Sequence, residues 1–468
     1  MCTHASNNSH NTFLTDSPAK LIISNAIPAI ASMMFMAFYQ IVDGIMVGRR
    51  LGPEALASIN LLYPIIALIV GLAVMIGTGG NTRLAVLLGA GKITQARQTL
   101  GLITLLGTIL GILGGLGIYL FFPWIIRFLG ASGNLAADAG DYLRSLSPFF
   151  TSMILLFILE QSVRNDGKPN LATIVMACAA LLNIILDYLF LFIFDYGIVG
   201  AALATGISKS LGASFFIVYF IKKSLKNIPG LYFAYPKAVR ETLKSISTNG
   251  SSEFFGSLAV GVTTWLFNYK LLLLAGSLGI AAFALVQFIL MIASAIFMGI
   301  GAGIQPIISY NHGAKLNKRV WSIITQSIVA SLIIAVALVI ILQFSTIPLV
   351  SFFIKDHPEA LRLTLEATEW IRWSIIFMPI GIIGSICFTS IEQAGPSILI
   401  ALSRGLILTV IGLLVFSRLL GLTGIWLTPL FSEGGTAIIT LVLINSWQIK
   451  YLRNQEDTFT CINYNNGS

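Results

Sequence analysis

Charge is what this chain has least of. Only 10% of its 468 residues are Asp, Glu, Lys or Arg, against roughly 25% in a soluble domain. So few charges cannot solvate a globule of this size, which excludes a soluble fold. Cysteine is scarce as well. Cys2, Cys178, Cys387 and Cys461 are too scattered for a metal spacing or a disulfide framework. The histidines His4, His10, His312 and His357 are no better grouped, so metal chemistry is not expected. No zinc finger, P-loop or Rossmann glycine pattern stands in a suitable context. An integral-membrane enzyme would need a nucleophile–base or metal set at the interface, and none is apparent, so neither catalysis nor a cofactor is expected. The first sixteen residues, MCTHASNNSHNTFLTD, lack the apolar stretch of a cleaved signal peptide. Residues 1–18 read as a disordered tail and 448–468 as a second tail, disordered from Asn454.

Long apolar runs fill the rest. Hydrophobic residues make up 56% of the chain, and about 20 in succession cross a bilayer. Twelve helices are expected, at 19–47, 55–82, 98–123, 141–164, 170–194, 198–221, 247–274, 281–304, 320–345, 364–390, 397–418 and 422–447. The fold class is therefore an all-α polytopic membrane protein. A polar linker at 222–246 divides it into an N-lobe (19–221) and a C-lobe (247–447) of six helices each. The halves resemble each other. LGPEALA at 51–57 matches LGIAAFA at 278–284, and GGNTRLAVLLGAGKITQAR at 79–97 matches GAGIQPIISYNHGAKLNKR at 301–319. Six helices per half start both on the same side, so the pseudo-two-fold axis lies along the membrane normal, with a substrate between the lobes. Loop Lys and Arg set the orientation. With both termini cytoplasmic, the inner loops carry fourteen and the outer side eight. The net charge of +9 thus reflects topology rather than a nucleic-acid partner.

Two acids stand inside these apolar spans: Asp43 in AIPAIASMMFMAFYQIVDGIMVG, and Asp187 in IVMACAALLNIILDYLFLFIF, one turn after Asn183. A carboxylate in hydrocarbon costs about 2.5–3.5 kcal/mol on insertion scales, so such residues face a cavity or a partner. Counting from the span ends at 1.5 Å per residue puts Asp43, Asp187 and Thr205 roughly 9–15 Å below the outer surface. Asn183 lies a turn deeper on the face of Asp187. Two carboxylates, an amide and a hydroxyl suit a hard cation such as Na⁺, which takes oxygen ligands. They suit a proton equally, because two buried like charges cannot both stay ionised cheaply. The plain alternative for Asn183 and Thr205 is interhelical hydrogen bonding.

Other polar residues are weaker candidates for a cavity or coupling role. Tyr39 and Gln40 precede Asp43 by one turn. Glu160 faces either the cavity or Arg164, with which it would form an i,i+4 pair. Glu253 lies near the inner end of helix seven, where interfacial solvation suffices. Lys270 aligns with Asp43 in the repeat, which makes the cation site one-sided; snorkelling is its plainer account. Lys209 and Arg404 are placed near the inner face, also able to snorkel. Pro28, Pro64, Pro148, Pro306, Pro379 and Pro429 offer helix breaks. A cavity of Phe, Tyr and Met could stack a flat organic cation.

YQIVDGIMVGRRLGPEALA at 39–57, RNDGKPNLA at 164–172, LNIILD at 182–187, GAALAT at 200–205 and QPIISYNHG at 305–313 resemble the MATE (multidrug and toxic compound extrusion) family. The resemblance runs from Lys20 to about Lys450 and is closest to the bacterial DinF/MepA-type branch. It implies a V-shaped pair of lobes that alternates between outward- and inward-facing states. It further implies export of cationic, amphipathic compounds in exchange for Na⁺ or H⁺, a first-lobe cation site at Asp43, Asn183, Asp187 and Thr205, and a bacterial inner (plasma) membrane location. The expected partners are small organic cations or drugs and membrane lipids, with the chain acting as a monomer. Other branches use an acid further along helix seven, which Glu253 does not match. The rivals are a narrow-substrate exporter or a lipid-linked precursor flippase of related fold, which would carry a cavity rich in Arg and Lys. A major-facilitator carrier would show an acidic and arginine-rich loop where this chain has LGAGKITQAR.

Overall fold

The computed structural model describes residues 8–131, 133–226, 228–237, 239–353 and 358–465. Cys2, His4, Lys355, His357 and the first seven residues of the expected tail lie outside them. No strand forms among the described residues. The first half comprises α1 (Asn8–Thr15), α2 (Pro18–Leu51), α3 (Pro53–Leu61), α4 (Tyr63–Gly89), α5 (Ile93–Phe128), α6 (Gly133–Leu146), α7 (Phe150–Asn165), α8 (Pro169–Tyr188) and α9 (Gly197–Leu225). The second comprises α10 (Val239–Gly313), α11 (Asn317–Phe353), α12 (Pro358–Ile371), α13 (Ser374–Ser390), α14 (Ala394–Leu402), α15 (Leu408–Leu420) and α16 (Leu422–Asn465).

Among the described residues eleven helical stretches are long and apolar enough to cross a membrane, or twelve if the pair bent by 53° around Ile371–Ser374 is one span. The differences from expectation have local causes. The second expected helix, 55–82, breaks at Leu62, because Pro64 opens α4 and cannot supply the N–H that a continuous helix needs. The stretch 364–390 is likewise bent rather than straight. Helix α10 contains two spans, broken at Gly276, whose φ of 62° suits glycine. The expected linker at 222–246 loses both its ends to α9 and α10. Lys222 and Lys223 sit in the last turn of α9 and Glu241 in the first turn of α10, each complementing the helix dipole.

The tails are also more ordered than their composition suggests. Helix α16 continues through the expected C-terminal tail to Asn465. Helix α1 docks on the second half. Phe13 is buried there and packs edge-on against Tyr310, with ring centroids 5.6 Å apart. Asn311 donates to the Phe13 carbonyl at 3.1 Å, and Arg319 donates to the carbonyls of Phe13 and Asp16. Ser17 then caps α2 by accepting from the Lys20 N–H.

Three hydrophobic cores define the shape. One is shared, joining Ile22, Leu84 and Ile158 of the first half to Ile246, Ile304 and Phe388 of the second. The second core holds first-half residues alone, such as Val47, Leu62, Phe150 and Leu191. The third holds second-half residues alone, such as Phe267, Phe283, Leu413 and Trp426. The shared core lies where α2 begins and α4 ends; the two private cores lie at the opposite end. The lobes therefore meet on the side of the N-terminus and separate on the other, as a V.

Glycine sets how closely the lobes meet. A Cβ on Gly250 would stand 2.0 Å from the Met75 carbonyl oxygen, and one on Gly79 would stand 2.3 Å from that of Ile246. Helix α4 thus crosses the start of α10 backbone to backbone. Polar ties reinforce the same face. Arg83 meets Glu392 at 3.3 Å, Ser245 donates to that carboxylate at 3.3 Å, and Gln305 donates to Thr82 at 2.9 Å.

The connection between lobes belongs to the first. Asp166 accepts hydrogen bonds from Tyr219, Lys223 and the Leu231 N–H, and Arg97 donates to the Gly230 carbonyl at 2.8 Å. Asp166 and Lys223 are both buried. Removing one partner of such a pair strands the other charge, at about 3–5 kcal/mol. Asp166→Ala is therefore expected to lower the unfolding temperature of the detergent-solubilised protein by several degrees and to reduce its membrane abundance. An unchanged melting curve would show that Lys223 finds another partner.

Candidate functional site

The V places three helices of the first half around a polar pair near its open end. Helix α2 supplies Tyr39 and Asp43, α8 supplies Asn183 and Asp187, and α9 supplies Thr205 and Lys209. Asp43 and Asp187 stand close enough for the charge of each to act on the other. Asp187 is fully buried, Asn183 is buried beside it, and Asn183 donates to Thr205 at 3.4 Å. The structure thus brings together all four residues that depth along the spans selected.

Their hydrogen bonding is incomplete. Asp43 Oδ1, Asn183 Oδ1 and both carboxylate oxygens of Asp187 are buried with no donor among the described residues. Buried polar atoms are almost always paired, and each exception calls for an explanation such as strain, an ordered water, an ion or a functional role. Two ionised carboxylates facing one another offer acceptors only.

Local backbone helps. Directly after α8 the helix widens into a π turn at Leu189–Ile193, a feature frequent at functional sites. Asp195, with φ of 52°, turns the chain toward α9. Arg50 ties this corner to α2, meeting Asp195 at 2.9 Å and the Leu191 carbonyl at 3.1 Å.

The remaining candidates separate. Tyr39 is buried and accepts a hydrogen bond from Lys209 Nζ at 2.7 Å. Lys209 therefore does not snorkel to the inner face as expected; it reaches inward one turn beneath the carboxylates. Gln40 is exposed and stands outside the polar cluster. Glu160 is not free to face a cavity, because Arg164 holds it at 2.6 Å with both side chains buried. Arg164 also donates to Ser32 at 2.9 Å, linking α7 to α2. Glu253 is half-buried and within electrostatic reach of Arg404. Arg404 itself pairs with Glu433 at 2.7 Å rather than snorkelling. Lys270 is half-buried and makes no ion pair among the described residues.

Residue-by-residue reading missed Tyr142, Glu433 and the Lys209–Tyr39 contact. Tyr142 on α6 is buried within electrostatic reach of Asp43, Asp187 and Tyr39. The repeat held a signal for Glu433, since aligning GIVGAALATGISK at 197–209 with GLTGIWLTPLFSE at 421–433 sets Lys209 opposite Glu433.

Comparison with known proteins gives this geometry its context. A sequence model of the MatE family matches residues 28–189 and again residues 254–414, one copy in each half. The multidrug export protein MepA of Staphylococcus saprophyticus is 29% identical over 427 residues, covering 90% of this chain and 92% of that protein. MepA of Staphylococcus aureus is 28% identical over 437 residues, covering 91% and 93%. Among solved structures, a multidrug resistance MATE family transporter in an outward-facing conformation superposes with a TM-score of 0.90 at 22% identity, covering 96% of this chain and all of that one. A MATE crystal structure in a bent conformation gives 0.87 at 23% identity, covering 96% and 99%. With the family model recurring in both lobes and the fold shared over nearly the whole chain, this protein belongs to the MatE family of multi-pass membrane transporters, in its MepA-like branch.

Proposed function

We propose that this chain is a secondary active antiporter of the bacterial plasma membrane. It exports cationic or amphipathic organic compounds, drugs among them, in exchange for H⁺ or Na⁺. The observation that carries the reading is the Asp43–Asp187 pair with its buried, donor-less oxygens. The similarity to multidrug export proteins supports the substrate class.

In this reading both termini are cytoplasmic, the closed face of the V is the inner one, and the cleft opens outward. A cation entering from outside settles between Asp43 and Asp187, with Asn183 and Thr205 supplying neutral oxygens. Its binding biases the first lobe toward the arrangement that releases substrate outward. Coupling requires the ion to bind the two states with different affinity, since equal affinity shifts nothing.

The test is efflux of a fluorescent organic cation from pump-deficient bacterial cells, wild type against Asp43→Asn at equal membrane abundance. Efflux lost in the variant is the expected result. Efflux that survives would remove Asp43 from the mechanism. No efflux by wild type of any of several dyes would favour a narrow-substrate exporter or a flippase.

A further inference from the structure

We propose that Lys209 is a built-in counter-cation that holds the first-lobe site at a net charge of −1, so that one monovalent cation completes it. The inference rests on the antiport reading and adds its ion stoichiometry. A lysine in a membrane helix ordinarily extends its stem to the interface. Lys209 is instead held inward. Its ammonium donates to Tyr39 Oη at 2.7 Å and lies 4.7 Å from the centre of that ring. Tyr39 precedes Asp43 by one turn of α2, and Lys209 follows Thr205 by one turn of α9. The ammonium therefore forms the floor of the site, on the side toward the closed face.

The charges can be counted. Asp43 and Asp187 contribute −2 and Lys209 contributes +1. Lys209 is the basic side chain that acts electrostatically on Asp43, the member of the pair it lies nearer along α2. The other groups facing it, Tyr39 on α2, Tyr142 on α6 and the Asn183–Thr205 bond between α8 and α9, are neutral. In a poorly solvated setting an uncompensated charge is costly. A −1 site is completed by one Na⁺ or one proton, whereas a −2 site calls for two or for a divalent ion. The repeat keeps charge at this position in both lobes. Glu433, the counterpart of Lys209, is neutralised directly by Arg404 at 2.7 Å. Among the described residues Lys209 has no such ion-pair partner, and its field remains available to the carboxylates.

The experiment uses the full chain in liposomes with ethidium as substrate. The ethidium gradient that just balances an imposed H⁺ or Na⁺ gradient gives the number of ions exchanged per dye. Wild type is expected to exchange one, Lys209→Met two, and Lys209→Arg one again. A purely structural lysine would alter rate or abundance and leave this ratio unmoved. Where Lys209→Met does not transport, thermal stabilisation by CaCl₂ reads the same charge. Millimolar Ca²⁺ is expected to stabilise the variant, with a half-effect at least roughly tenfold lower than in wild type. A Lys209→Met protein that exchanges one ion overturns the proposal, as does one that neither transports nor responds to Ca²⁺ beyond wild type. Failure of the antiport reading is visible without any Lys209 variant. In that case wild type moves ethidium independently of both gradients, or Asp43→Asn exchanges ions as wild type does.

Discussion

Asp187→Asn is expected to reduce ion-driven dye export at least tenfold and, in the same protein, to raise the unfolding temperature. Asp187 is fully buried, and neither carboxylate oxygen has a donor. A carboxyl group without partners in that position is a cost the fold carries, roughly 1–3 kcal/mol for an unsatisfied polar group. Asparagine is nearly isosteric, removes the charge and brings two N–H donors to face Asp43. It therefore relieves the strain while removing half of the negative charge that attracts the ion. Opposite movement of stability and activity is the mark of a residue kept for function. The measurement pairs transport in liposomes with a melting curve in detergent, with and without NaCl and across pH. A variant that is destabilised and inactive would make Asp187 a packing residue. A variant with wild-type transport would remove it from the ion path. Asp43→Asn should behave similarly with a smaller gain in stability, since Asp43 is only half-buried and already feels Lys209.

Gly250→Val is expected to abolish transport while leaving the protein folded and in the membrane. No alternative rotamer helps a side chain whose Cβ already stands 2.0 Å from the Met75 carbonyl oxygen. The clash is backbone against side chain, so the helices themselves must part. Both α4 and α10 are long, internally hydrogen-bonded helices in separate lobes, and each survives the separation. The variant thus disfavours the closed face of the V and biases the protein toward the opposite opening. Spin labels on the two lobes at the closed face should report distances several ångströms longer than in wild type. Gly117→Val is the control, because nothing lies within 4 Å of its added Cβ. Wild-type distances and transport in Gly250→Val would mean that the lobes do not close here in the working cycle. Loss of the Arg83–Glu392 tie alone should have a far smaller effect. Both side chains are partly solvated at 31% and 24% exposure, and exposed pairs contribute about 0.2–1 kcal/mol.

Much of the architecture was legible because it is additive along the chain. Apolar run length gives the spans. The match of residues 79–97 with 301–319 gives the repeat, and the family model recurs in both halves accordingly. Helix direction and rise gave the depth of Asp43, Asp187 and Thr205, which needs no knowledge of neighbours. Helix breaks were less legible. Pro64 opens α4 after a break, whereas Pro148 only tightens one turn to a 3₁₀ turn within the stretch from Gly133 to Asn165. Pro28, Pro306, Pro379 and Pro429 instead lie within continuous helices. A proline signals a weakness, and packing decides whether it becomes a break.

Sequence alone determined the membrane class, the two lobes, the family resemblance and the acids stranded in hydrocarbon. Each follows from the cost of placing a side chain or a backbone in lipid, which a local stretch already fixes. Tertiary structure alone decided who meets whom. Lys209 finds Tyr39 across 170 residues of chain, Arg404 of the eleventh span pairs with Glu433 of the twelfth, and a polar N-terminal segment expected to be disordered buries Phe13 against the far lobe. Those outcomes depend on helix rotation and on where the lobes touch. A rotation of one residue about a helix axis moves a side chain by about 100°, which no hydropathy sum records.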